Sequence, residues 1–392
     1  MSEKYLIIEE KMDREVNEHE LAIITELHKR FPKKDFFIEA KDSMIVFYLN
    51  SIDLNAFKES VSELIKHHGY EPEDKNPFLN IISKIENIRS YGIKSGKRVY
   101  VDYFKERKVK NRLQKVVQRG MYFYARASEF SKEINEVPDE FINKIICGDS
   151  EDVLKELPDN CIDIIVTSPP YNFGLGYDMT VDGIDWNKYF DKLFRIFLEC
   201  IRVLKYGGRI VVNVQPLFSD YIPIHHIISN FFMQNKLIWK GEIIWDKHNY
   251  NCKYTAWGSW KSPSNPYLKY TWEFLEIFCK GDLKHPGNSK LIDITADEFK
   301  EWVYAKWDIA PERNMKKYDH PAMFPEELVR RVLKLFSYVG DVVLDPFNGV
   351  GTTTVVAKKL NRRYIGIDIS PKYCEVALQR LKEVDAQLDE IF

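Results

Sequence analysis

Residues 341–360 read DVVLDPFNGVGTTTVVAKKL, and residues 362–370 continue as RRYIGIDIS. Val342, Val343 and Leu344 form a short apolar run that fits a buried strand. Gly349 and Gly351 permit close backbone approach, and a helix starts at Thr352. Strand, glycine turn and helix in that order put a helix N-terminus behind a loop at a strand's carboxyl end, where a nucleotide-like ligand sits well. The next strand, YIGID, ends in Asp368, and an acid at that position is placed to grip ribose hydroxyls. The third glycine of GxGxxG is missing and no P-loop lysine is present. A nucleoside cofactor without a pyrophosphate therefore fits better than a dinucleotide. Two glycines at a strand-helix turn also serve structure alone, and Asp368 is a rival helix cap to Ser370, the better one.

The same alternation extends outward from this stretch. NKIICGD (143–149) is a short strand ending in Asp149, followed by a helix SEDVLKEL with Ser150 expected as its N-cap. CIDIIVTSPPY (161–171) is a second strand running into a proline-stiffened loop. GGRIVVNV, KGEIIWDK and WEFLEIFCK supply three more strands. Apolar runs alternating with helices predict an α/β, doubly wound, Rossmann-like domain with a mostly parallel sheet over residues 141–392. Residues 1–140 look different: helical spacing at 21–31 and 54–67 brackets two strands, DFFIEA and SMIVFYL, with a turn at Asp42. They predict an α+β N-terminal extension whose role the sequence leaves open, with DNA contact and oligomerisation as the candidates. Within it, residues 94–120 carry Lys94, Lys97, Arg98, Lys105, Arg107, Lys108, Lys110, Arg112, Lys115 and Arg119. A solvated helical face and a phosphate-contacting surface are both open for that segment.

At 392 residues and 45% hydrophobic content the chain can bury more than one core. A formal charge of -2 gives no global nucleic-acid signal, so any such signal must be local. Six cysteines without a CxxC pair argue against a zinc site and a disulfide framework, so no metal is expected. No signal-peptide pattern and no apolar run near the ~20 residues of a bilayer span occur. A cytoplasmic protein without membrane contact is the expectation.

TSPPYN (167–172) sits directly after the buried strand. Two prolines fix φ and remove two backbone donors, leaving carbonyls in defined directions. The Ser168 hydroxyl and the Pro169 carbonyl are suited to accept the two hydrogens of an exocyclic amine on a planar base. Pro170 completes the rigid turn, and Tyr171 can stack on the base, a contact worth about 1–3 kcal/mol. Such a lone turn is common elsewhere; its place at a buried strand's carboxyl end makes it informative.

TSPPYN and DPFNGVGTT together resemble the motifs of the amino-methylating DNA methyltransferases, over residues 141–392. The order, TSPPY first and glycine loop last, resembles that family's circularly permuted beta group. The resemblance implies S-adenosyl-L-methionine as cofactor, with its methionine and ribose ends near Asp345, Phe347, Gly349, Gly351, Thr352 and Asp368. If DVVLD and YIGID are the first two strands of the sheet, NKIICGD becomes the third, with Asp149 beside the adenine ring. HPAMFPEELVRRVL (320–333) looks like the family's cofactor-side helix, though any amphipathic helix would read so.

An insertion expected over 248–310, with 248–270 as its core, carries Lys253, Trp257, Trp260, Lys261 and Lys269. Aromatic and basic residues in an irregular loop suit DNA contact and target recognition, against a purely structural cover for the sheet edge. AWGSWKSPSNP resembles a stretch of the cytosine-N4 enzymes, and Ser rather than Asp at 168 leans the same way. The expected activity is site-specific methylation of cytosine N4 in double-stranded DNA by base flipping and direct transfer. Adenine N6 is the nearest rival; an RNA base methyltransferase, a non-catalytic nucleic-acid-binding subunit and a nicotinamide-dependent dehydrogenase follow. A cognate restriction endonuclease and homodimerisation are the expected partnerships beyond DNA.

Overall fold

The computed structural model describes residues 5–68, 76–86, 91–94, 97–100, 124–125, 130–172, 174, 178, 183–217, 220–248, 257–313, 315 and 317–389. The chain forms two compact units, Met1–Arg119 and Gly120–Phe392. The boundary thus falls earlier than the expected residue 140. Val137 and Phe141 are buried in the core of the second unit, which draws the segment before them away from the extension. The basic segment 94–120 lies outside the described residues, apart from the backbone at 94 and 97–100.

In the first unit, β1 (Leu6–Lys11), β2 (Phe36–Lys41) and β3 (Met44–Leu49) form an antiparallel sheet in the order β1-β3-β2. The β2–β3 turn is at Asp42, whose φ of 45° suits the short polar side chain. Helices Glu18–Arg30, Leu54–His67 and Pro77–Glu86 contribute to a core in which Phe36 stacks on Phe47 at 4.8 Å and meets Phe57 edge-on at 5.2 Å. A second small sheet joins β4 (Ser51–Ile52), β5 (Tyr91–Lys94) and β6 (Lys97–Tyr100) in the order β4-β6-β5.

The second unit holds β7 (Lys144–Cys147), β8 (Ile162–Thr167), β9 (Leu204–Val214), β10 (Ile238–Asp246), β11 (Trp272–Cys279), β12 (Lys306–Asp308), β13 (Val342–Asp345) and β14 (Arg363–Asp368). They form one sheet in the order β12-β10-β11-β9-β8-β13-β14-β7. Every pairing is parallel except those of β11, which runs against both β9 and β10. β13, late in the chain, lies between β8 and β14, and β7 pairs with β14 at the edge, as the three-strand expectation requires.

Alternate strand residues face opposite layers. Ile165 and Leu344 join the core that includes Leu193, Ile196 and Phe197 of helix Trp186–Val203 and Ile228 of helix Ile224–Gln234. Ile164, Val166 and Val343 join the core beneath helices Glu326–Phe336 and Thr352–Lys359. Both faces are covered, so β8 and β13 are buried at every position and read as mainly apolar runs, with Asp163 inside β8 and Asp345 at the end of β13 as the acids. This is the doubly wound Rossmann-like α/β fold expected from the sequence. Helix Ser150–Glu156 is capped by Asp149, whose Oδ1 accepts from the Glu151 amide at 3.0 Å, and not by Ser150. The Ser150 hydroxyl donates instead to the Pro346 carbonyl at 2.5 Å and ties this helix to the glycine loop.

Candidate active site

The carboxyl ends of β7, β8, β13 and β14 lie side by side, and a cavity of about 590 Å³ opens above them. Thr167 at the end of β8 donates its hydroxyl to Asp345 Oδ1 at the end of β13, at 2.6 Å. The same oxygen accepts the Phe347 amide at 3.0 Å. One buried carboxylate therefore fixes the start of the TSPPY loop against the start of the glycine loop. Burial pushes the Asp345 carboxyl up to about 6, against the downward pull of Thr167, Thr353 and the Phe347 amide.

The glycine loop packs tightly. Gly349 has φ 50°, and a Cβ there would stand 2.9 Å from His320 Nε2. Gly351 has φ 84° and forms the N-cap of helix Thr352–Lys359; its Cβ would stand 2.7 Å from the Ala377 Cβ. Asp368 accepts the Gly349 amide at 2.7 Å and the Ser370 amide at 2.9 Å. The Ser370 hydroxyl in turn accepts the Tyr373 amide, so Ser370 caps the last helix, as expected. Burial raises the Asp368 carboxyl, while the two amide bonds lower it by less. His320 is pushed down to about 4 by burial and is uncharged near neutral pH. At Asp149, burial is outweighed by Lys192, whose Nζ lies 2.6 Å from Oδ2, together with the Glu151 amide and Lys155, and the carboxyl is held below its ordinary range.

On the other wall, the Ser168 hydroxyl donates to the Asn213 carbonyl at 3.3 Å, and the Tyr189 hydroxyl donates to the Pro170 carbonyl at 2.7 Å. The Tyr171 hydroxyl donates to Glu273 Oε2 at 3.1 Å. That oxygen also accepts Asn213 Nδ2 at 2.5 Å, and Lys247 bridges the other carboxylate oxygen. Glu273, Asn213, Lys247, Lys192 and His320 all line the cavity, and the sequence reading did not name them. Polar residues inside otherwise apolar strands, Asn213 in IVVNV and Glu273 in WEFLEIF, were the available signal.

Ser168, Pro169, Pro170, Tyr171, Asp149, Asp345, Phe347, Gly349, Thr352 and Asp368 all line this one cavity; Gly351, expected among the cofactor residues, does not, being turned against Ala377 at the start of the helix. The Thr352 hydroxyl accepts from Arg380 at 3.3 Å. The expected DNA-contact residues do not line the cavity. Trp257 and Trp260 are 60% and 64% exposed on a turn between β10 and β11, with ring centroids 5.4 Å apart. Lys269 Nζ lies 3.3 Å from the Trp257 ring centroid and Lys261 Nζ 5.7 Å from that of Trp260. Lys253 lies outside the described residues.

The chemistry of the lining tests which cofactor fits. Its two lysines, Lys192 and Lys247, are each paired with a lining carboxylate, Asp149 and Glu273. Asp345 and Asp368 add further acids, and His320 brings no charge. Among the described residues this surface has no cation set aside for a pyrophosphate. It suits ribose hydroxyls and the ammonium and sulfonium charges of a methionine end. Asn348 Nδ2, buried on the same loop, is a donor without a partner among the described residues.

Residues 162–379 match the model of the N6/N4 DNA methylase family. This covers more than half of the chain, and the chain belongs to that family. It is 32% identical over 251 residues to the Type II methyltransferase M.HpaI of Haemophilus parainfluenzae, covering 61% of this chain and 74% of that protein. It is 30% identical over 248 residues to the DNA adenine methyltransferase YhdJ of Escherichia coli, covering 60% and 82%. The solved structure of Thermus thermophilus TTHA0409 in complex with S-adenosyl-L-methionine superposes with a TM-score of 0.50 at 27% identity, covering 61% of this chain and 93% of that one.

Proposed function

We propose that this protein transfers a methyl group from S-adenosyl-L-methionine to the exocyclic N4 of cytosine in double-stranded DNA. The observation that carries this reading is the shared cavity, in which the TSPPY loop faces the glycine loop across the Thr167–Asp345 bond. Asp149, Asp368, Phe347 and the backbone around Gly349 would hold the cofactor, which supplies an activated methyl group when bound. Ser168 spends its own hydrogen on the Asn213 carbonyl, so its lone pairs are left for the hydrogens of the target amine. The loop carbonyl of Pro169 is the second acceptor. Two acceptors on the amine draw its lone pair out of conjugation and aim it across the cavity. Tyr171 stacks on the flipped base. The strand order, with the glycine-loop strand β13 central although late in the chain, supports the permuted beta-group arrangement.

Cytosine is favoured by Ser rather than Asp at 168 and by the AWGSWKSPSNP resemblance. The likeness to YhdJ favours a second reading, adenine N6, with the same residues in the same roles. The likeness to a Type II methyltransferase supports a cognate restriction endonuclease as partner. The exposed Trp257, Trp260, Lys261 and Lys269 are the proposed DNA contacts. Two variants test the division of labour. Tyr171→Ala is expected to lower turnover at least tenfold while S-adenosylmethionine still binds. Asp368→Ala is expected to weaken cofactor binding first, and parental binding by that variant overturns the cofactor assignment.

A further inference from the structure

Building on the reading of Tyr171 as the base-stacking residue, we propose that Glu273 is a positioning residue that sets the plane of that ring. Glu273 is 3% exposed at the start of β11, and a carboxylate there needs a reason. Its partners are Lys247, which compensates its charge, Asn213 Nδ2 and the Tyr171 hydroxyl. The loop carrying Tyr171 can turn the ring about two side-chain torsions. Anchoring the hydroxyl on a strand removes that freedom before the base arrives, so less ordering is left to the moment of capture.

Asn213 extends the device. Its backbone carbonyl accepts the Ser168 hydroxyl, while its side-chain amide donates to Glu273 and lies 3.4 Å from the Tyr171 hydroxyl. One residue of β9 thereby registers the amine acceptor and the stacking ring to each other. A plain ion pair between Glu273 and Lys247 would stabilise the fold without needing either Tyr171 or Asn213.

The test is a double-mutant cycle with Y171F and E273Q, read as methyl transfer from labelled S-adenosylmethionine to unmethylated genomic DNA. Y171F keeps the ring and removes the tether; E273Q keeps the shape and, with Lys247 holding the amide oxygen, turns an NH2 toward Asn213 Nδ2 and the Tyr171 hydroxyl in place of their acceptor. Each is expected to lower kcat about tenfold, and the double variant about tenfold as well, because both break one device. S-adenosylmethionine affinity stays at the parental value in all three. A hundredfold loss in the double variant, or a parental kcat in Y171F, overturns the proposal. If E273Q does not fold, Y171F alone decides by the same criterion. Y171A separates the two levels: parental kcat there sinks the stacking reading itself, whereas an impaired Y171A beside a parental Y171F sinks only the tether.

Discussion

Gly349 has neither the backbone conformation nor the space for a side chain, with φ 50° and His320 Nε2 2.9 Å from an added Cβ. Gly349→Ala is therefore expected to displace His320 or the loop and to weaken S-adenosylmethionine binding at least tenfold, measured by calorimetry. Parental affinity would show that the loop yields at no cost. Asp345 offers a pH test. Its carboxyl is raised to about 6, so the folded state holds the proton more tightly than the unfolded chain does. The ionised form opposes folding; that opposition grows as pH rises through the ordinary carboxylate range and is complete above about 6. Asp345→Asn keeps an oxygen to accept from Thr167 and Phe347 and loses the charge. Its melting temperature should exceed the parent's by a few degrees at pH 7.5, with the gap closing near pH 4. A gap independent of pH contradicts the assignment. The loop glycines and Asp368 were legible in local spacing, and Asp345 through the family resemblance that DPFNGVGTT carries. Glu273, Lys247 and Lys192 were not, since each matters through a partner far away in the chain.

Among the elements, the strands buried on both sides were the easiest to read: β8 and β13 have no polar alternation to confuse them. β1 escaped notice because Glu10 occupies one of its inward positions. It is tolerated there by Asn80 Nδ2 at 2.9 Å and Lys84 Nζ at 2.5 Å, partners that local periodicity does not reveal. The N-cap at Asp149 was misassigned to its neighbour for a similar reason: the Ser150 hydroxyl is drawn to Pro346, almost two hundred residues on. The turn after β10 is the element proposed to contact DNA. Its tryptophans are exposed and flanked by lysines, and β10 ends at the same edge of the sheet as β8 and β13. Trp257→Ala together with Lys269→Ala should weaken duplex DNA binding about tenfold or more in a titration and leave S-adenosylmethionine affinity unchanged. Unchanged DNA affinity would return this turn to a structural role.

At the level of the whole molecule, the sheet brings together motifs from opposite ends of the second unit. TSPPY and the glycine loop are separated by more than 170 residues in sequence and by one Thr167–Asp345 hydrogen bond in space. That adjacency was foreseeable only because parallel strands present their loops at one edge. The unit boundary was less legible: the segment before β7 has no strand pattern, and it is assigned by the burial of Val137 and Phe141 in the main core and of Ala125 against Ile238 and Cys279. The decisive measurement is to incubate the protein with unmethylated duplex DNA of high sequence complexity and S-adenosylmethionine, digest to nucleosides, and identify the methylated one by mass spectrometry. N4-methylcytosine is the expected product. N6-methyladenine alone would keep the site and its geometry and overturn the reading of Ser168, and no methylated nucleoside at all would contradict the assignment of this cavity to methyl transfer on DNA.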